Sequence, residues 1–205
     1  MRAFRLLDRP KIVAVMLSLA ASSAAAQGTA SVQKLLERGA LEEALQRAEA
    51  ERDNPESLFF AAQAAAKMKN NERAVEEYTR LQQTSDDAWK AIGESGARLA
   101  QGNLDEAMAA ADRAIAANGD NPYAHFQVGM VANRQNNHQR AQAAFSRALE
   151  LKPDLAYAHY YAGIASQHLR QTAKMSEHFE MFLKLAPEAP ERTAVSAILR
   201  TLRPR

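Results

Sequence analysis

Five histidines, His125, His138, His159, His168 and His178, are the residues of this chain best suited to hold a metal or move a proton. Imidazole does both near neutral pH. A metal site needs several ligands converging on one point, and on a helix convergence asks for partners three or four positions apart. No His-x-x-x-His pair occurs, and no histidine pair brackets a glutamate. His125 and His159 fall at equivalent places in a repeated pattern, which favours a packing or groove role. The chain has no cysteine, so disulfides, thiolate catalysis and Cys-ligated zinc are excluded. Gly93-Glu94-Ser95-Gly96 is not a nucleophile elbow. That motif needs a residue between Ser and the second Gly, and a turn from strand to helix. No phosphate loop and no carboxylate pair with a plausible cleft is found. The residues point to no enzyme, no cofactor and no metal.

What remains is recognition by aromatic and polar side chains. Tyr123 and Phe126 stand three apart, as do Tyr157 and Tyr160, so each pair shares a helix face. The elements that position them repeat. Tyr123-Ala124-His125 returns as Tyr157-Ala158-His159, Gly129 as Gly163, Phe145 as Phe179, Leu149 as Leu183, Leu151 as Leu185 and Pro153 as Pro187. Eight of 34 positions are identical at one offset without a gap. A fixed period of this length marks a repeat architecture. Low Gly and Pro, with much Ala, Leu, Glu, Gln and Arg, favour helix throughout.

The pattern resembles the tetratricopeptide repeat. The first copy reads His125-x-x-Val128-Gly129, then Ala141-x-x-x-Phe145, then Pro153; the second reads His159-x-x-Ala162-Gly163, Met175-x-x-x-Phe179 and Pro187. His125 and His159 stand where the family has an aromatic, and Met175 replaces a small residue. The resemblance implies an all-α fold, a right-handed α-solenoid of tetratricopeptide-type helical hairpins. It implies that small residues mark close helix crossings and that aromatics fill the gap beside them. It also implies a concave face, lined by the first helix of each hairpin, that holds a protein or peptide partner. The residues expected on that face are Phe59, Trp89, Tyr123, Phe126, Arg134, Tyr157, Tyr160 and His168. Aromatic anchors edged by adaptable polar groups suit protein recognition. Tyr123, Phe126, Tyr157 and Tyr160 are expected to form one exposed two-by-two patch, whose truncation costs binding and spares stability. Packing between repeats is the alternative role for these rings. Family members that clamp the acidic tails of heat-shock chaperones use Lys and Asn on this face. Here the corresponding places hold Phe59, Gln63, Ile92, Gly96, Phe126 and Met130.

In chain order, residues 1–26 have the layout of a secretory signal peptide: Arg2, Arg5, Arg9 and Lys11, then an apolar run, then Ala24-Ala25-Ala26. A retained anchor is the alternative, but the run of residues 12–26 carries three serines and falls short of the roughly 20 apolar residues a spanning helix wants. Cleavage after Ala26 and a periplasmic or secreted location are expected, with no stable membrane insertion afterwards. The remaining chain, residues 27–205, carries 22 basic and 23 acidic side chains. That near balance gives no pull on nucleic acid. It divides into a partial repeat over 31–54, repeats over 55–87, 88–121, 122–155 and 156–189, and a capping helix over 190–205. A homo-oligomer built from the same surfaces is the alternative to a foreign protein partner. The unit over 88–121 reads as the weakest. Ala111 replaces the aromatic, Gly119 replaces Pro, and Gly93 and Gly96 lie inside its first helix. Replacing Gly96 by Ala is expected to stabilise it by up to about 1 kcal/mol if the site is helical and uncrowded.

Overall fold

The structure, a computed structural model, describes residues 32–202. The expected signal peptide lies outside them. The described residues form eleven helices and no strand. A helix α1 covers residues 32–37 of the described chain. It is followed by α2 (Leu41–Ala50), α3 (Pro55–Lys67), α4 (Asn71–Leu81), α5 (Asp87–Gln101), α6 (Leu104–Ala117), α7 (Pro122–Arg134), α8 (His138–Leu151), α9 (Ala156–His168), α10 (Thr172–Leu185) and α11 (Arg192–Leu202). Consecutive helices pair as hairpins, and α11 packs on α10 through buried Val195.

Polar side chains start many of the helices. Asn54 accepts from the amides of Glu56 and Ser57 with Pro55 at the first helical position, and Asn121 accepts from Tyr123 with Pro122 behind it. Each cap satisfies an amide with no partner inside its helix. Asn70, Asp86 and Asn137 do the same for α4, α5 and α8.

The turn inside each hairpin is also repeated. Gly39, Lys69, Gly102, Asn136 and Arg170 all take positive φ, between 57° and 85°. At each, the left-handed residue donates to the carbonyl three back and its successor to the carbonyl five back, as in Lys69 to Ala66 and Asn70 to Ala65. This double bond satisfies the orphan carbonyls at a helix end.

Glycine sets how closely the helices cross. A Cβ on Gly129 would lie 2.6 Å from the Phe145 ring, and one on Gly163 2.5 Å from the Phe179 ring. The hairpins α7/α8 and α9/α10 therefore close on a Gly–Phe pair. The hairpin α5/α6 closes differently. Ser95 stands where Gly129 would, buried, and its hydroxyl donates to the Ala107 carbonyl at 2.7 Å. Its glycines face the preceding hairpin instead. A Cβ on Gly93 would lie 2.6 Å from the Tyr78 carbonyl oxygen, and one on Gly96 2.3 Å from the Tyr78 ring. The site is helical but crowded, so the condition under which alanine at position 96 would stabilise is not met. Gly96 is where α5 meets α4.

Candidate functional site

The first helices α3, α5, α7 and α9 bring their aromatics to one side of the array. Tyr123 is the centre of one group: its ring lies 5.1 Å from Phe59, 5.7 Å from Phe60 and 5.1 Å from Trp89. Phe126 continues it, 5.7 Å from Phe59 and 6.1 Å from Tyr161. Tyr157 and Tyr160 form a second group with Phe182, at 5.7 and 5.2 Å. Tyr161 joins the two, at 6.3 Å from Tyr157 and 5.1 Å from Tyr160. Edge-on and tilted geometries dominate, as ring quadrupoles favour.

Polar groups fix the ends of this cluster. The Tyr123 hydroxyl donates to Glu56 at 2.8 Å and the Tyr157 hydroxyl to Glu191 at 3.1 Å. Lys67 pairs with Glu191 and stands 4.2 Å over the Tyr157 ring, a cation on the negative face of the ring. Burial, followed by the Glu191 carboxylate, pushes the Tyr157 hydroxyl above the ordinary tyrosine range. Burial and Glu56 do the same to Tyr123. Both hydroxyls stay protonated and act as donors.

The expected face residues separate into three groups. Phe59, Tyr123, Phe126 and Tyr157 are buried. Trp89 and Tyr160 are half-buried, and Arg134 and His168 are exposed at the C-terminal ends of α7 and α9. The expectation of an exposed two-by-two patch is therefore corrected. The rings are covered because α3 reaches past α5 to touch α7, as the Phe59–Tyr123 and Glu56–Tyr123 contacts record. The curvature of the array turns its concave face inward on itself. Residues 32–37 and 190–191 close it further: Gln33 donates to the Asp154 carbonyl at 3.2 Å, and a Cβ on Gly39 would lie 2.6 Å from Pro190.

Tyr161, Phe182 and Glu191 belong to the site and were not singled out from sequence. Tyr161 follows Tyr160 directly, so its neighbour was a signal. Glu191 joins the cluster only through the curl of the chain, which no local pattern records.

The histidines have local duties. His125 Nε2 lies 2.8 Å from the Gly119 carbonyl and His159 Nε2 3.2 Å from the Pro153 carbonyl. These are equivalent contacts in successive units, each tying a first helix to the turn before it. His159 Nδ1 lies 3.2 Å from His178 Nδ1, and burial lowers the pKa of both rings. The His138 and His168 rings stack at 4.0 Å. Among the described residues no three metal-ligating side chains gather.

The architecture is an α-solenoid of helical hairpins, and comparison with known proteins gives the hairpins their type. Residues 96–156 and 129–190 match the family model described as Tetratricopeptide repeat. Residues 96–190 thus carry tetratricopeptide repeats. No curated protein matches the sequence. Among solved structures, a thermophilic TPR protein of Thermus thermophilus is similar at a TM-score of 0.57 and 20% identity, covering 78% of this chain and 89% of that one. The Arabidopsis OM64 TPR domain is similar at a TM-score of 0.54 and 17% identity, covering 56% of this chain and 95% of that one. The first TPR of Spaghetti, solved bound to an HSP90 peptide, is similar at 0.53 and 21% identity, covering 57% of this chain and 90% of that one. At these identities the likeness is one of fold.

Proposed function

We propose that this chain is a non-catalytic scaffold of the cell envelope, and that it holds a protein segment on its concave face. The observation that carries the reading is the aromatic cluster shared by four successive first helices, α3, α5, α7 and α9, with Trp89 and Tyr160 half-open at its edge. The half-open rings of Trp89 and Tyr160, held by the buried cluster behind them, give contact area at low entropic cost, which suits a binding anchor. The ligand we assign is apolar in its anchor residues. Spaghetti's first TPR was solved with an acidic HSP90 peptide, but here Phe59, Ile92 and Gly96 are buried and Gln63 is engaged by the Tyr78 hydroxyl at 2.6 Å. No carboxylate clamp is built from these groups.

Peptides selected from a random library on immobilised residues 27–205 test the reading. Calorimetric titration of a selected peptide should weaken on Trp89→Ala and on Tyr160→Ala, by about 2 kcal/mol at a hot spot. Unchanged affinity in both removes the concave face from the proposal. The envelope location is tested separately: the exported protein should have an intact mass that starts at Gln27, and a full-length species in the membrane fraction contradicts export.

Self-association is the second reading. Met181 stands exposed on α10, and Leu199 and Leu202 of α11 are only half-covered. Light scattering on residues 27–205 alone distinguishes a monomer awaiting a partner from a stable oligomer.

A further inference from the structure

The concave face already contains a ligand-like element. In a stacked array each unit touches only its neighbours. α1 departs from that rule. It is the first helix of the first hairpin, yet Gln33 bonds the carbonyl of Asp154, 121 residues away, in the turn before α9. Val32 and Leu36, four apart, are buried to within 2% of full coverage. Gln33 and Glu37, also four apart, are buried beside them and bond each other at 2.8 Å. α1 lines a cavity whose other walls include Phe59 and Phe60 of α3, Phe126 of α7 and Tyr157 of α9.

Resting on the proposed function above, we propose that α1 is a displaceable occupant of the concave face. The face then takes, in its place, a short amphipathic partner helix with the pattern of α1. That pattern is an aliphatic residue followed by a polar one, repeated four positions later with a glutamate, as in Val32-Gln33 and Leu36-Glu37.

Polar groups supply half of what seats α1: two of its four buried side chains are Gln33 and Glu37, and the cation paired with Glu37 is the mostly exposed Lys34. Its link to α2 is the single turn at Gly39. Withdrawal of α1 uncovers Phe59, Phe60 and Tyr157 without breaking α3 or α9. The same geometry says what the newcomer must supply: two aliphatic side chains for the space of Val32 and Leu36, and a donor for the Asp154 carbonyl.

The test uses a fluorescent peptide of residues 28–39 and the chain from Gln27. Leu36→Asp in the chain should eject α1, and the peptide should then bind at least tenfold more tightly than to the unmodified chain. A peptide carrying the same Leu36→Asp change should not bind. Equal affinity for the two chains overturns the proposal, as does no binding to a Leu36→Asp chain of unchanged helical content. If Leu36→Asp does not fold, the unmodified chain decides. Excess peptide should raise hydrogen exchange at residues 32–37 and leave the start of α9 protected; no change at residues 32–37 at saturating peptide overturns the proposal. A library-selected peptide that needs Trp89 and Tyr160 yet ignores Leu36→Asp would keep the concave face as the binding site and reject α1 as its occupant.

Discussion

The hairpins over residues 122–189 and the hairpin over residues 88–121 solve one packing problem in two ways. In the former, Gly129 and Gly163 receive the rings of Phe145 and Phe179 from the helix that follows. In the latter, the aromatic is Ala111, the crossing is held by the Ser95 hydroxyl, and the glycines receive Tyr78 from the hairpin before. A ring fills a gap next to a glycine in each case, but the ring comes from the opposite direction. A helix that looks weak because it contains two glycines is thus a helix packed from its other side. Helix propensity counts the entropy of Gly93 and Gly96; it does not count the Tyr78 contacts that their missing side chains admit.

The largest effect should come from removing a filler ring. Phe145→Ala and Phe179→Ala should each cost about 3–5 kcal/mol in chemical denaturation, because both rings are fully buried. The reverse change, Ala111→Phe, should not stabilise the hairpin α5/α6. Its crossing holds Ser95 and no glycine, so the ring overpacks it by about 1–3 kcal/mol. A stabilised Ala111→Phe chain would show that the crossing has room and that the two hairpins differ only in filling.

Next is Gly96→Ala. The new methyl must displace the Tyr78 ring, whose hydroxyl is held by Gln63 at 2.6 Å. A loss of about 1–3 kcal/mol is expected for such overpacking. A more stable variant would restore the propensity argument and remove Gly96 from the α4/α5 contact.

That reversal shows where the sequence was legible. The period, the Asn-Pro helix starts and the pairing of Gly129 with Phe145 are local or sit at a fixed offset, so they can be read from the chain. Gly96 cannot be assigned in the same way. Its partner Tyr78 lies 18 positions earlier, outside the family's own Gly-to-aromatic offset. The site shows the same boundary. Tyr123, Phe126, Tyr157 and Tyr160 could be found by spacing, because spacing places side chains on helices. Their burial could not, because it depends on how sharply the array curves. That curvature is the sum of many small crossings, and it brings Glu56 to Tyr123 and Lys67 to Glu191.

A smaller effect concerns the hydroxyl at the atypical crossing. Ser95→Ala should cost about 1 kcal/mol, the net worth of one buried hydrogen bond. The matching change at Gly129, to Ala, should cost more, since it puts a methyl 2.6 Å from the Phe145 ring. Denaturant midpoints of the two variants order the effects, and a larger loss at Ser95 would mean that the bond to Ala107 does more than close the hairpin.

The smallest effect reverses the ranking of the two regions. Every hairpin turn needs one left-handed residue. The hairpin α5/α6, weaker on propensity, has Gly102 there with φ 85°, while α7/α8 has Asn136 and α9/α10 has Arg170 at 59° and 57°. A side chain in this conformation costs roughly 1–2 kcal/mol, and asparagine tolerates it better than most. Glycine escapes that cost but gives back about 0.5–1 kcal/mol in lost chain freedom. Arg170→Gly should therefore stabilise by up to about 1 kcal/mol, Asn136→Gly by less, and Gly102→Arg should destabilise. Nothing lies within 4 Å of a Cβ built on Gly102, so that loss would be conformational and not steric. If Arg170→Gly lowers the melting temperature instead, the arginine side chain makes a contribution larger than its backbone strain, and the turn of α9/α10 is held by more than its two carbonyl bonds.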